Sequence, residues 1–307
     1  MPPYSTSCAS FFGCVDVRDE LFKLLPLCSL LALAATNRAY HDAVFCFFRH
    51  RIILLVAPFF PHQQMFAFLE CLRKVGAVIS GSAVLKLLFS WENRLWDAKD
   101  LDVYVAYENA IPFLDFLHSC GYSCISMLPS HPYLIGSIRS VVTFCQGARK
   151  IDVILSRTSS SIMPIFEFHL TAVMNFISPN FLFSAYPFLT SSKCAIVNPR
   201  LFHFGRVKLP TLQALLKYRG HGFQIQSSCE SRLVDLQSRP TPHRCGSAIG
   251  CSKTHRSTTD RGCLFVHFRE FTDEMNDMPV FDEIGWHLGG RRCSLQLGYD
   301  VPYVVTK

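Results

Sequence analysis

Two acidic residues recur at alternate positions of an otherwise apolar stretch, Asp100-Leu101-Asp102-Val103-Tyr104-Val105, and this pattern constrains the fold more than any other feature of the chain. In an extended strand successive side chains point to opposite faces. Asp100, Asp102 and Tyr104 therefore share one face, and Leu101, Val103 and Val105 share the other. Two carboxylates about 7 Å apart on one face repel each other unless a cation lies between them. Magnesium is the hard, oxygen-seeking cation that such a pair most often holds, commonly with substrate phosphates completing its shell. A second apolar run with an embedded acid, Lys150-Ile151-Asp152-Val153-Ile154-Leu155, supplies a third carboxylate. Lys150 could neutralise charge on a phosphate or simply begin an exposed strand.

Upstream, the run Ala77-Val78-Ile79-Ser80 ends at Gly81-Ser82, and a short helix is expected over Ala83–Phe89. Ser82 can cap that helix or bind an anion, because the first backbone N–H groups of a helix lack partners and its dipole favours negative charge. A helix is also expected from Pro61 to Lys74, with Met65, Phe68, Leu69 and Leu72 on one stripe and Gly76 as its stop. Pro112 starts another, through Ser119, ended by Gly121. Ser140–Gln146 and Arg149–Leu155 read as a hairpin turning at Gly147, which would hold Asp152 beside the Asp100/Asp102 strand. Ile52-Ile53-Leu54-Leu55-Val56 reads as a strand, and Ile165–Phe176 as a helix.

This order of strand, Gly-Ser turn, helix, Asp-x-Asp strand and third acidic strand resembles the nucleotidyltransferase superfamily typified by DNA polymerase beta, over roughly residues 60–180. The resemblance implies an α/β (α+β) fold: a small mixed β-sheet with flanking helices. It also implies transfer of a nucleoside monophosphate from a nucleoside triphosphate to an acceptor hydroxyl. Asp100, Asp102 and Asp152 would hold two Mg2+ (or Mn2+) ions, Asp152 would activate the acceptor, and Gly81 and Ser82 would contact the triphosphate. The chain departs from the pattern in the seventeen residues between Ser82 and Asp100, longer than most members have, and Ser90–Trp96 reads as an inserted loop. Phe168–Phe176, Tyr186–Thr190 and Lys217-Tyr218-Arg219-Gly220 resemble stretches of fungal proteins of this kind and suggest kinship, not a site.

Residues 15–50 are helical in pattern, with Leu21, Leu24, Leu25, Leu30, Leu31, Leu33 and Ala34 near the helical period. Pro26 breaks one helix and Ser29 could cap the next. Leu25–Tyr40 resembles a degenerate F-box, which implies the adaptor subunit of a cullin-type ubiquitin ligase as a partner. A helical pair packed on the main domain accounts for the same pattern. The expected division is 1–52, a helical F-box-like module; 53–224, the nucleotidyltransferase-like domain; and 225–307, a loop-rich basic segment. The alternative function is a non-catalytic F-box-like adaptor or interaction protein on a decayed nucleotidyltransferase fold.

With half its 307 residues hydrophobic and 17% charged, the chain has the material for a large core and is not disordered throughout. The 27 phenylalanines are spread along it, as core residues would be. Fourteen cysteines include no Cys-x-x-Cys pair, and the opening residues lack the basic and apolar regions of a signal peptide. Reduced thiols in the cytoplasm or nucleus, rather than a secreted scaffold, are therefore expected. Ile52–Leu69 is uncharged but interrupted by Pro58, Pro61 and His62-Gln63-Gln64, so no membrane span is expected. Between Lys193 and Glu270 thirteen Lys and Arg stand against four acids, suiting either a phosphate-bearing partner, nucleic acid included, or a solvated basic loop. His243, Cys245, Cys251, His255 and Cys263 invite a zinc reading, but their spacings match no zinc finger or ribbon, so zinc is not expected. Gly-x-Ser-x-Gly, Gly-x-Gly-x-x-Gly and Walker motifs are absent, which leaves hydrolase and dehydrogenase readings without residues.

Overall fold

Pro26 separates the first two described helices as the sequence requires: α1 spans Val15–Leu24 and α2 spans Leu27–Ala34. The computed structural model describes residues 14–89, 96–128, 136–199, 209–226, 246–268, 283–291, 299–300 and 303–306. Ser29 lies inside α2 and caps nothing. Pro26 itself occupies the cap position in an extended conformation, and its ring keeps Leu25 extended as well, which ends the preceding helix. Helix α3 (Arg38–Val56) begins at Asn37, whose side chain accepts a hydrogen bond from the backbone N–H of Tyr40. It runs through Ile52–Val56, so the strand expected there is a helical turn. Phe48, Ile52 and Val56 recur every four residues on the buried side, and that packing outweighs the β preference of the run.

Helix α4 (His62–Lys74) buries Met65, Phe68 and Leu72 as one stripe. It ends where Gly76 takes φ +62° and the Ala77 N–H reaches back to the Leu72 carbonyl. Strand β1 (Val78–Ser80) then feeds α5 (Gly81–Leu87). Among the described residues there follow β2 (Leu101–Ala106), a 3-10 turn (Tyr107–Asn109), α6 (Ala110–Ser119), β3 (Ser123–Leu128), β4 (Ile138–Gln146) and β5 (Arg149–Ser156). Gly121 and Gly147, both at positive φ, make the two turns the sequence assigned them. Of the Ser90–Trp96 loop, 90–95 lie outside the described residues.

Residues 165–176 are not a helix. They form two 3-10 turns, Met163–Glu167 and Thr171–Val173, and then enter β6 (Asn175–Ile177). Side-chain-to-backbone bonds hold this path: Thr171 Oγ1 accepts from the Ile196 N–H, and the Asn198 amide donates to the Phe168 carbonyl. The run is buried all round, so its apolar pattern carries no period that separates helix from turn. It is followed by β7 (Phe181–Ser184), α7 (Pro187–Ser191), β8 (Cys194–Ile196), α8 (Leu209–Gly220) and β9 (Gln224–Gln226). Short strands β10 (Arg256–Ser257), β11 (Leu264–His267), β12 (Ile284–His287), β13 (Gly290–Arg291), β14 (Tyr299–Asp300) and β15 (Tyr303–Thr306) complete the described elements.

Eight of the described strands form one mixed sheet in the order β11-β7-β6-β1-β2-β5-β4-β3. Every neighbouring pair is antiparallel except β2 and β5, which run parallel in the register Asp102↔Asp152 and Tyr104↔Ile154. One face carries Leu101, Val103, Val105, Ile151 and Val153 into a core shared with the N-terminal helices, including Phe22, Leu30, Phe47, Phe68 and Phe113. The other face packs Val78, Tyr104 and Ile154 with Phe166, Phe176 and Trp286. Among the described residues, no helix is long and apolar enough to cross a membrane.

Candidate functional site

The alternation of Asp100-Leu101-Asp102 sends the acidic side chains to the second face of the sheet, away from the N-terminal helices. There Asp100, Asp102 and Asp152 line one cleft of about 400 Å³ with Lys150 and Lys217. Asp102 and Asp152 face each other across the parallel pair. Asp152 accepts a 2.7 Å hydrogen bond from Thr143 on β4 and a 2.6 Å bond from Lys150, whose ammonium also lies 3.7 Å from Asp100. Burial, and then the charges of Asp100 and Asp152, push the Asp102 carboxyl up to about 8. Burial pulls Lys150 down, but its bond to Asp152 and the three nearby carboxylates outweigh this and hold it above its ordinary value.

Gly81 belongs to this cluster through its backbone. At φ +73° it passes so close to Asp102 that a Cβ would fall 1.9 Å from Oδ2. Ser82 is buried, 3% exposed, beneath Lys217, whose ammonium lies 3.4 Å from its hydroxyl. The Trp96 indole donates to the Ser82 carbonyl and stacks on His221 at 4.2 Å, tying the end of α8 to the start of α5. The structure thus brings Asp100, Asp102, Asp152 and Gly81 together, and sets Ser82 next to them under a lysine.

Phe168 and His169 from the segment before β6, and Lys217 and Tyr218 from α8, also line the cleft; the sequence marked their stretches for kinship and not for a site. They reach the cleft from beyond the strand motif, and their spacing gives no hint of a site. Burial, and then the charge of Lys217, lower the His169 imidazole to about 4, so it is neutral at physiological pH.

Among the described residues no group of three or more His, Cys, Asp or Glu side chains converges tightly enough to hold a metal ion as it stands. The donors nevertheless suit a hard divalent cation. All three are carboxylates, burial and then the charges of Asp100 and Asp152 raise the proton affinity of Asp102, and Lys150 already serves Asp100 and Asp152 as a cation. Asp100, Asp102 and Asp152 are the residues that would hold magnesium. Of the cysteines and histidines read for zinc, Cys263 contacts the Arg256 guanidinium and backbone carbonyls, while His255 stacks on His287. His243 and Cys245 lie outside the described residues.

Compared with known proteins, the chain matches no family model, no curated protein and no solved structure.

Proposed function

We propose that the protein is a nucleotidyltransferase that joins a nucleoside monophosphate, taken from a nucleoside triphosphate, to an acceptor hydroxyl. The observation that carries this reading is the register of the parallel pair, which faces Asp102 with Asp152 while Gly81 closes on Asp102 from the start of α5. The antiparallel β1–β2 pair, the parallel β2–β5 pair and the turn opening α5 support the same reading. Magnesium, when bound, would neutralise the phosphate charge and acidify the acceptor hydroxyl.

In the reaction the acceptor oxygen bonds to the α-phosphorus, and the bond from that phosphorus to its β-bridging oxygen breaks. Pyrophosphate departs and the acceptor's proton passes to Asp152. Thr143 and Lys150 fix the Asp152 carboxylate by one hydrogen bond on each oxygen, which leaves further lone pairs for that proton. Lys217 stands over Ser82, where it can pair with the leaving phosphates. Little covalent work falls to the protein in such a displacement, and positioning with charge stabilisation carries most of the effect.

The test is calorimetric titration with Mn2+ and a non-hydrolysable triphosphate. Wild type should bind, and Asp102→Ala should lose roughly 100-fold or more in affinity while remaining folded. A folded wild type that binds neither metal nor nucleotide would end this reading. The adaptor alternative has less to stand on, because Leu27, Leu30 and Ala34 of the F-box-like stretch are spent in the shared core.

A further inference from the structure

We propose that the acceptor is a small, uncharged molecule presenting its hydroxyl on an apolar body, and not the end of a nucleic-acid strand. This rests on the nucleotidyltransferase reading above. Across the sheet the order is β1, β2, β5, β4, so the two sides of the cleft differ in kind. On the β1 side stand Ser82 and Lys217, the charge partners for a departing pyrophosphate. In-line displacement puts the attacking oxygen on the far side of the α-phosphorus, over Asp152 and therefore over β5 and β4.

The floor there is apolar. Ile154 lies two residues beyond Asp152 on the same face of β5, and pairs with Tyr104 on β2 and Val141 on β4. Ile138, Phe168, Pro210 and Ala214 add apolar lining to the cleft, and Gln213 an uncharged amide. Tyr104, Val141 and Ile154 are 3%, 6% and 5% exposed, so little but this cleft reaches them. Among the described residues lining the cleft, the lysines are Lys150 and Lys217, both at the carboxylate end, and His169 is held neutral. A nucleic-acid strand carries a phosphate at every residue and is gripped by Lys and Arg along its path. Among the described residues this floor offers a strand no such partners, whereas an aromatic or aliphatic alcohol would shed water against it.

The probe is 2-naphthol, an uncharged fluorescent aryl alcohol, titrated into protein saturated with Mn2+ and a non-hydrolysable triphosphate. Wild type should bind it. Val141→Thr and Ile154→Thr, each placing a hydroxyl on the floor, should weaken it roughly tenfold. Both variants should remain folded by circular dichroism and still titrate with metal and triphosphate. A single-stranded oligonucleotide should neither bind nor displace the probe. Wild type that takes metal and nucleotide but not 2-naphthol, variants that bind it as well as wild type does, or displacement by the oligonucleotide would each overturn the acceptor assignment alone. Failure of the metal and nucleotide titration overturns the reaction, and the acceptor with it, whatever 2-naphthol does.

Discussion

Gly81 leaves no room for a side chain where it meets Asp102. Gly81→Ala would have to fit a methyl group 1.9 Å from a carboxylate oxygen and hold alanine at φ +73°. A non-glycine residue held there costs about 1–3 kcal/mol, so the urea midpoint should fall by that equivalent and binding of Mn2+ and nucleotide should weaken with it. His169 sets a pH limit. Between pH 6.5 and about 4 the unfolded chain binds a proton that the folded imidazole refuses, so stability present at pH 7 drains away as pH falls. This group accounts for roughly 3 kcal/mol by pH 4, and His169→Gln should flatten that slope in denaturant melts at stepped pH. The three aspartates and Gly81 were legible in the sequence because a two-residue period and a Gly-Ser turn are local signals. Lys217 and His169 were not, since nothing near either residue in the chain refers to a site.

Of the helix boundaries marked by special residues, Pro26, Gly76 and Gly121 act where the sequence put them, whereas Ser29 lies inside α2 and Pro112 in the first turn of a helix that begins at Ala110. Asn37 is a marker of the same kind, and its cap on α3 is worth about 1 kcal/mol. Asn37→Ala should lower thermal stability by that amount, and a variant melting like wild type would show the cap to be idle. Where such markers were absent, the reading failed. Ile52–Val56 looks like a strand by composition, but it completes a nineteen-residue helix whose partner is the shared core. Residues 165–176 look helical by hydrophobicity, yet they are held as turns by Thr171, Asn175 and Asn198, polar side chains that serve the backbone instead of solvent.

The sheet as a whole is built from both halves of the chain. Strand β11 extends it beyond β7, and Trp286 on β12 stacks on Phe166 at 4.5 Å. A chain ended after residue 226 would bare the β7 edge and the Phe166–Phe183 aromatic cluster. It should elute as oligomers and lose its cooperative melt, whereas a monomer melting like the full chain would show those strands dispensable. The carboxylates belong to this same level of organisation, for Asp102 and Asp152 lie fifty positions apart and meet only when β2 pairs with β5. The β4–β5 hairpin is local and closes fast, while the parallel pairing must wait for a long loop to close. Lys150 sits two residues from Asp152 on the hairpin strand itself, within bonding distance. The carboxylate on β5 therefore travels to the pairing with its own counter-ion, and one of the three negative charges that meet there is already cancelled.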